Sequence, residues 1–369
     1  MNRSSHAAAA GSIFLLLVHI ASPSVAQISP MKPFWKGKTA YNESVLMVSK
    51  DGGLPEARLL FKPKRIIRVS DSGLGKTYKK GKDWTIEDGR LKLLPGSPAV
   101  SMTNRELAPD SGRFARLDGI GYVLHHEGSF FHEKQLAVTY RHRKNLWKGP
   151  LPQYAGEVLT VTSDKLRNKR DLHILLFGDS IAAGANASGK SDVSPYLPDW
   201  GVLFVNRLKE YYKTDIRFTN TAVGGKNSKW GENEALTSVA GHHPDLVIIA
   251  FGMNDGTGKM PPDEFRRHIS AIMNQVKEVN PRVEFILVST MVPNPESRFV
   301  GTQRDFKKEL AELTGPGCTL VDMTSVHDEL LRHKSYQDMT GNNINHPNDY
   351  LIRWYAQFLA GALIPAKDL

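Results

Sequence analysis

Leu172-His173-Ile174-Leu175-Leu176-Phe177-Gly178-Asp179-Ser180 places five apolar residues in six positions and then closes the run with glycine. A short apolar stretch of this kind, ended by a turn residue, reads as a strand buried on both faces, as in a parallel sheet covered by helices. Ligands of such sheets bind beyond the carboxyl ends of the strands. The Ser180 hydroxyl is therefore expected at the reactive edge. Gly-Asp-Ser alone is also ordinary turn chemistry, so the rest of the chain has to decide.

Outward from this stretch, strands and helices alternate. Further strands are expected near Phe218, Val247, Phe285 and Leu320, with helices near 202–212, 263–279, 303–313 and 351–363. Asp263 follows Pro261-Pro262 and precedes Phe265, Ile269, Ile272 and Val276, which share one helical face. Repeated strand-helix units imply a mostly parallel sheet between two helical layers. Residues 27–165 have a different texture. Ile66-Ile67-Arg68-Val69, Trp84-Thr85-Ile86 and Leu91-Lys92-Leu93 look like strands, and turns such as Asp51-Gly52-Gly53, Asp88-Gly89 and Pro95-Gly96-Ser97 recur at sandwich spacing. This part is read as a smaller β-sandwich domain, joined through a basic link at 165–170 to a second domain over 166–369.

Three more blocks follow Gly178-Asp179-Ser180: Val223-Gly224-Gly225, Gly252-Met253-Asn254-Asp255 directly after a buried strand, and Asn345-His346-Pro347 before an amphipathic helix. The order Gly-Asp-Ser, glycine, Gly-x-Asn-Asp, His-Pro resembles the SGNH or GDSL hydrolase superfamily, over roughly 172–363. The resemblance implies a three-layer α/β/α fold with a flavodoxin-like sheet. It also implies carboxylic ester hydrolysis, with Ser180 as nucleophile and His346 as general base. The backbone N–H groups of Ser180 and Gly225 and the Asn254 amide would then form the oxyanion hole. Asp179, Asp255 and Asp349 are expected to support the site.

One position departs from the family. An aspartate usually precedes the histidine by three residues, and this chain has Asn343 there. An asparagine carbonyl can accept the Nδ1 hydrogen but brings no charge, and loss of that charge costs about 10^4-fold in a serine-protease triad. Asn343 is carried as the expected third member, with Asp349 and Asp338 as alternative acids and a catalytically dead protein as a third reading.

Gly184 to Ser191 also fits the phosphate-loop pattern G-x-x-x-x-G-K-S. Its context opposes a nucleotide site: the motif does not leave the strand directly, and Pro195 and Pro198 fall where a helix should run. The N-terminus carries Arg3, an apolar stretch over 7–21 and the small-residue site Ser24-Val25-Ala26, which together read as a secretory signal over 1–26. A stretch that short is not expected to anchor the protein in a membrane. Cys318 is the single cysteine, so no internal disulfide forms, and a bacterial periplasmic or secreted address is expected.

The formal net charge is +10, which favours anionic partners. Without a nucleic-acid motif, acidic polysaccharide is the better candidate than DNA. Trp200 and Trp230 flank the blocks as sugar-stacking or packing residues. The pairs His125-His126 and His242-His243 lack zinc-ligand spacing, so neither metal nor cofactor is assigned. The expectation is a secreted serine esterase acting on acetyl or other small acyl groups of a carbohydrate. The alternatives are a lysophospholipase or acyltransferase of the same fold, or a carbohydrate-binding pseudoenzyme.

Overall fold

The buried run at 173–178 is the hub of a five-stranded parallel sheet. In the computed structural model, which describes residues 31–144 and 146–369, its strands are ordered Arg217–Asn220, His173–Gly178, Leu246–Ala250, Glu284–Val288 and Cys318–Val321. The first strand in sequence thus lies between the second and the third. Chain connections leave it in opposite directions, which opens a crevice at its carboxyl end. Ser180 sits there. The expected leader lies outside the described residues.

Alternation along the strands sends side chains to two helical layers. Leu175, Phe177, Val247, Ile249, Phe285 and Leu287 pack on the Phe265, Ile269, Ile272 and Val276 face of helix Pro262–Val279. Ile174, Leu176, Ile248 and Ile286 face the other layer, which includes Trp200 and Phe204 of helix Trp200–Tyr212 and Trp354 of helix Asp349–Leu363. Helices Ser228–Ser238 and Met323–Leu331 complete the layers. Sequence reading missed both, because neither carries a long apolar stripe. The basic link proposed at 165–170 is in part helix, since Thr160–Arg167 is helical and its first-turn amides at Val161 and Thr162 donate to the buried Glu284 carboxylate. Cys318 is buried in its edge strand, and burial pushes its thiol up to about 12. No helix among the described residues is long and apolar enough to cross a membrane.

The N-terminal half forms a two-stranded sheet, in which Phe114–Ala115 pairs with Tyr122–Val123, and two larger ones. One holds Thr39–Leu46, Gln135–Arg141, Arg65–Asp71 and Thr77–Tyr78, and all its pairs are antiparallel. The other holds Trp84–Glu87, Arg90–Leu93, Glu56–Arg58, Val48–Ser49 and Met102–Thr103. The chain steps from one sheet to the other at Met47. This half is not packed on itself alone: Val45, Val69, Leu136 and Tyr140 belong to the same core as Trp354, Tyr355 and Leu359. Phe34 stacks on Trp354 at 5.1 Å and Trp35 meets Phe358 edge-on at 4.9 Å. Polar ties reinforce the join. The Asn348 amide donates to Ser44 Oγ and Gln135 Oε1, and the Gln135 amide donates to the carbonyls of Gln337 and Thr340.

Candidate active site

Three neighbouring strands deliver three of the expected groups at their carboxyl ends. Ser180 follows His173–Gly178, Gly225 follows Arg217–Asn220, and Asn254 opens the short helix Met253–Thr257 after Leu246–Ala250. Gly178 is required because a Cβ there would stand 2.2 Å from the Ala250 carbonyl oxygen, so only glycine lets the two strands close before the turn. Gly224 sits beside Ser180, and Gly225 adopts φ +76° with open space where a side chain would stand. Asn254 spends one amide hydrogen on the Lys226 carbonyl, 2.8 Å away. Its other amide hydrogen has no partner among the described residues.

His346 arrives on a loop whose shape its own polar groups define. Thr340 Oγ1 donates to the His346 carbonyl, and Asn342 Oδ1 accepts from the amides of Ile344, Asn345 and His346. His346 Nε2 lies 2.9 Å from Ser180 Oγ. Its Nδ1 lies 2.6 Å from Asn186 Oδ1. Because Asn186 donates through Nδ2 to the carbonyls of Gly128 and Gly341, the atom it turns to the ring is its oxygen. Nδ1 therefore carries the hydrogen, and Nε2 is free to accept from the serine.

A carboxylate also reaches this ring. Glu127 Oε2 is 3.3 Å from His346 Nδ1, while its Oε1 accepts from Asn342 Nδ2 and lies 3.0 Å from His125 Nε2. Burial works to raise the Glu127 carboxyl, but hydrogen bonds from His125 and His346 more than offset it and hold it far below the usual carboxylate range. Sequence reading missed Glu127, Asn186 and Asn342. Asn186 was legible only as a letter of the phosphate-loop pattern, and nothing local marks Glu127.

The expected third member behaves differently. Asn343, at φ +65°, turns away from His346: its Nδ2 donates to the Leu124 carbonyl, and its Oδ1 accepts from Asn294. Left-handed backbone is tolerable for asparagine and aims the amide at the N-terminal half. The two alternative acids are also engaged elsewhere. Asp349 accepts from the Ser188 amide, and Asp338 accepts from the amides of Leu46 and Ser335. Trp200 is fully buried and donates to the Ile181 carbonyl, so it packs and offers no sugar platform. Trp230 packs on Phe177 and Phe251. Turns fill the segment between Ser180 and Pro198, and the next helix begins only at Trp200, which leaves Gly184 to Ser191 without the helix a phosphate loop needs. Among the described residues no cluster of three metal-ligating side chains occurs.

Beneath the serine lies a buried acid. Asp179 accepts from the Ile181 amide through Oδ1, and its Oδ2 has no partner. Burial first, and then the charge of Asp255, push its carboxyl up to about 7. The folded value lies above the unfolded one, so the protonated acid favours folding fully below the unfolded value, and that contribution is lost as pH rises through about 7. Asp179→Asn is expected to flatten the decline of the urea midpoint between pH 4 and pH 7; an unchanged slope would mean that Asp179 is ionised in the fold.

Residues 176–350 match the model of the GDSL-like lipase/acylhydrolase family. An arylesterase of Vibrio mimicus is 27% identical over 139 residues, which is 38% of this chain and 65% of that protein. A GDSL-like esterase of Mycobacterium tuberculosis is 35% identical over 89 residues, 24% of this chain and 26% of that protein. The chain thus spans less than two thirds of the length of either relative. Among solved structures, a two-domain esterase active on acetylated mannans is 21% identical, with a TM-score of 0.47, covering 58% of this chain and 55% of that one. An acetyl xylan esterase is 18% identical, with a TM-score of 0.42, covering 52% of this chain and all of the other. Over residues 176–350, a little under half of its length, the chain is thus similar to the GDSL-like lipase/acylhydrolase family.

Proposed function

We propose that the protein is a serine carboxylic ester hydrolase, and the observation that carries this reading is the 2.9 Å contact between Ser180 Oγ and His346 Nε2. His346 Nε2 takes the hydroxyl proton as Ser180 Oγ bonds to the ester carbonyl carbon. The oxyanion that forms is met by the amides of Ser180 and Gly225 and by the free hydrogen of the Asn254 side chain, each worth about 3–4 kcal/mol of barrier. The imidazolium then returns its proton to the departing alcohol oxygen, the ester C–O bond breaks, and an acyl-serine remains. Water gives a proton to His346 Nε2 and attacks the acyl carbon, and the imidazolium passes that proton to Ser180 Oγ as the acyl–serine bond breaks, which frees Ser180 and a carboxylic acid.

For the substrate, small acyl esters on a carbohydrate fit the rim of the site. Glu127 stands beside the His346 ring, His125 contacts Glu127 and Asn345 accepts from Asn342, and such polar groups suit a hydroxyl-rich alcohol better than a long acyl chain. A secreted address accords with the signal-like sequence over 1–26. The experiment is hydrolysis of p-nitrophenyl acetate, followed by release of acetate from acetylated oligosaccharides. Turnover by the native chain and its loss in Ser180→Ala support the reading; turnover unchanged in Ser180→Ala overturns it. A preference for long-chain esters would overturn the carbohydrate assignment.

The approach of two loops carries a further expectation. A Cβ on Gly341 would stand 2.4 Å from the Cβ of Asn186. Gly341→Ala should therefore push Asn186 off the imidazole and lower kcat roughly 10^2-fold, the usual effect of an ångström-scale misplacement, with KM little changed.

A further inference from the structure

We propose that Glu127, delivered by the N-terminal half, is the positioning carboxylate for His346, and that Asn343 has become the clasp of the loop that carries it. This rests on the Ser180–His346 reading and deepens it. The family's usual place for that acid is occupied by a residue with no charge, and the charge re-enters from the other half of the chain.

The loop 124–128 is fixed at three points, each by an asparagine. Asn343 donates to the Leu124 carbonyl at 3.0 Å, Asn342 to Glu127 Oε1 at 3.0 Å, and Asn186 to the Gly128 carbonyl at 2.9 Å. Two of these three groups also contact His346 Nδ1. The hydrogens of Asn342 Nδ2 are taken by Glu127 and Asn345 Oδ1, so its approach to Nδ1 supplies no competing donor. The Nδ1 hydrogen is left to face Asn186 Oδ1 at 2.6 Å and Glu127 Oε2 at 3.3 Å. Asn186 fixes the ring's direction, but a neutral oxygen answers the positive charge of the imidazolium only weakly. A carboxylate answers it directly. The same loop is tied to the N-terminal sheets on its far side, where helix Phe130–Lys134 leads into strand Gln135–Arg141. Their packing on helix Asp349–Leu363 therefore sets where the carboxylate stands.

Glu127 is about half-exposed, so its variants should fold as the native chain does, which equal urea midpoints verify. In the full chain, Glu127→Gln keeps the shape and removes the charge. Its kcat on p-nitrophenyl acetate should fall roughly 10- to 100-fold with KM little altered, less than the 10^4-fold of a serine-protease triad because Asn186 still orients the ring. The acid limb of kcat/KM should move to lower pH, since a lost anion disfavours the imidazolium. Formate should restore part of the activity of Glu127→Ala, whereas formamide should not. Adding Asn343→Asp to Glu127→Ala should restore nothing, because that side chain faces Leu124. Wild-type kcat and pH profile in Glu127→Gln would overturn the proposal, and so would recovery of activity on adding Asn343→Asp.

An imidazole NMR titration separates this proposal from the ester hydrolase reading. The His346 curve should move to lower pH in Glu127→Gln even if no ester is turned over. A curve identical to that of the native chain would refute the pairing, whatever Ser180→Ala does.

Discussion

Ser180→Ala and His346→Ala are each expected to lower kcat on a small ester by about 10^6-fold, and the chain carrying both is expected to be no slower than either alone. The two groups lie 2.9 Å apart and share one proton in each half-reaction. Without the imidazole the hydroxyl keeps its proton, and without the hydroxyl the imidazole has nothing to activate but water. Losses of groups that act as a unit do not add. The residual rate, about 10^3- to 10^4-fold over water, would come from the oxyanion donors and substrate binding. Single-turnover measurements on the three variants check this. Additive losses would mean that Ser180 and His346 serve separate steps.

Lys334→Met is expected to cost about 3–5 kcal/mol of stability, read as a fall in the urea midpoint at constant slope. Lys334 Nζ lies 2.6 Å from Glu43 Oε1, with both side chains wholly shielded from solvent. Glu43 also accepts from the Leu60 amide and the Tyr140 hydroxyl. Lys334 is thus one of several donors that meet this buried carboxyl group. Asp338, pushed up to about 6 by burial against the opposing pull of Lys334, loses its nearest positive charge in the same variant. Glu43→Gln combined with Lys334→Met should recover much of the loss, because an uncompensated charge is what makes the single change costly. A double variant no more stable than Lys334→Met would place the cost in packing instead.

The parallel sheet was legible because its three central strands are wholly buried and therefore written as near-continuous apolar runs: His173–Gly178, Leu246–Ala250 and Glu284–Val288 are buried at every position. Helix Pro262–Val279 was legible from its stripe and its proline start. Helix Ser228–Ser238, with only Ser228, Gly231 and Ala235 buried, offered no stripe to find. At the site, the nucleophile, the base and the asparagine each follow a sheet strand or precede a helix, so local pattern marked them. The support of His346 is a property of tertiary approach. Asn186 comes from a turn and Glu127 from an irregular loop, neither with a periodic signature, and Asn343 misled because its place in the sequence matched a role that its backbone, turned to φ +65°, does not let it play.

Phe34 and Trp35, at the start of the described chain, find their partners on Trp354 and Phe358, close to its end. On a ribosome that emits the polypeptide from one end, the sheets of the N-terminal half must wait with part of their apolar faces uncovered until helix Asp349–Leu363 is synthesised. Contacts between such distant points in sequence close slowly, and exposed apolar strands are prone to aggregate meanwhile. Phe34 and Trp35 thus acquire this burial only after helix Asp349–Leu363 has emerged.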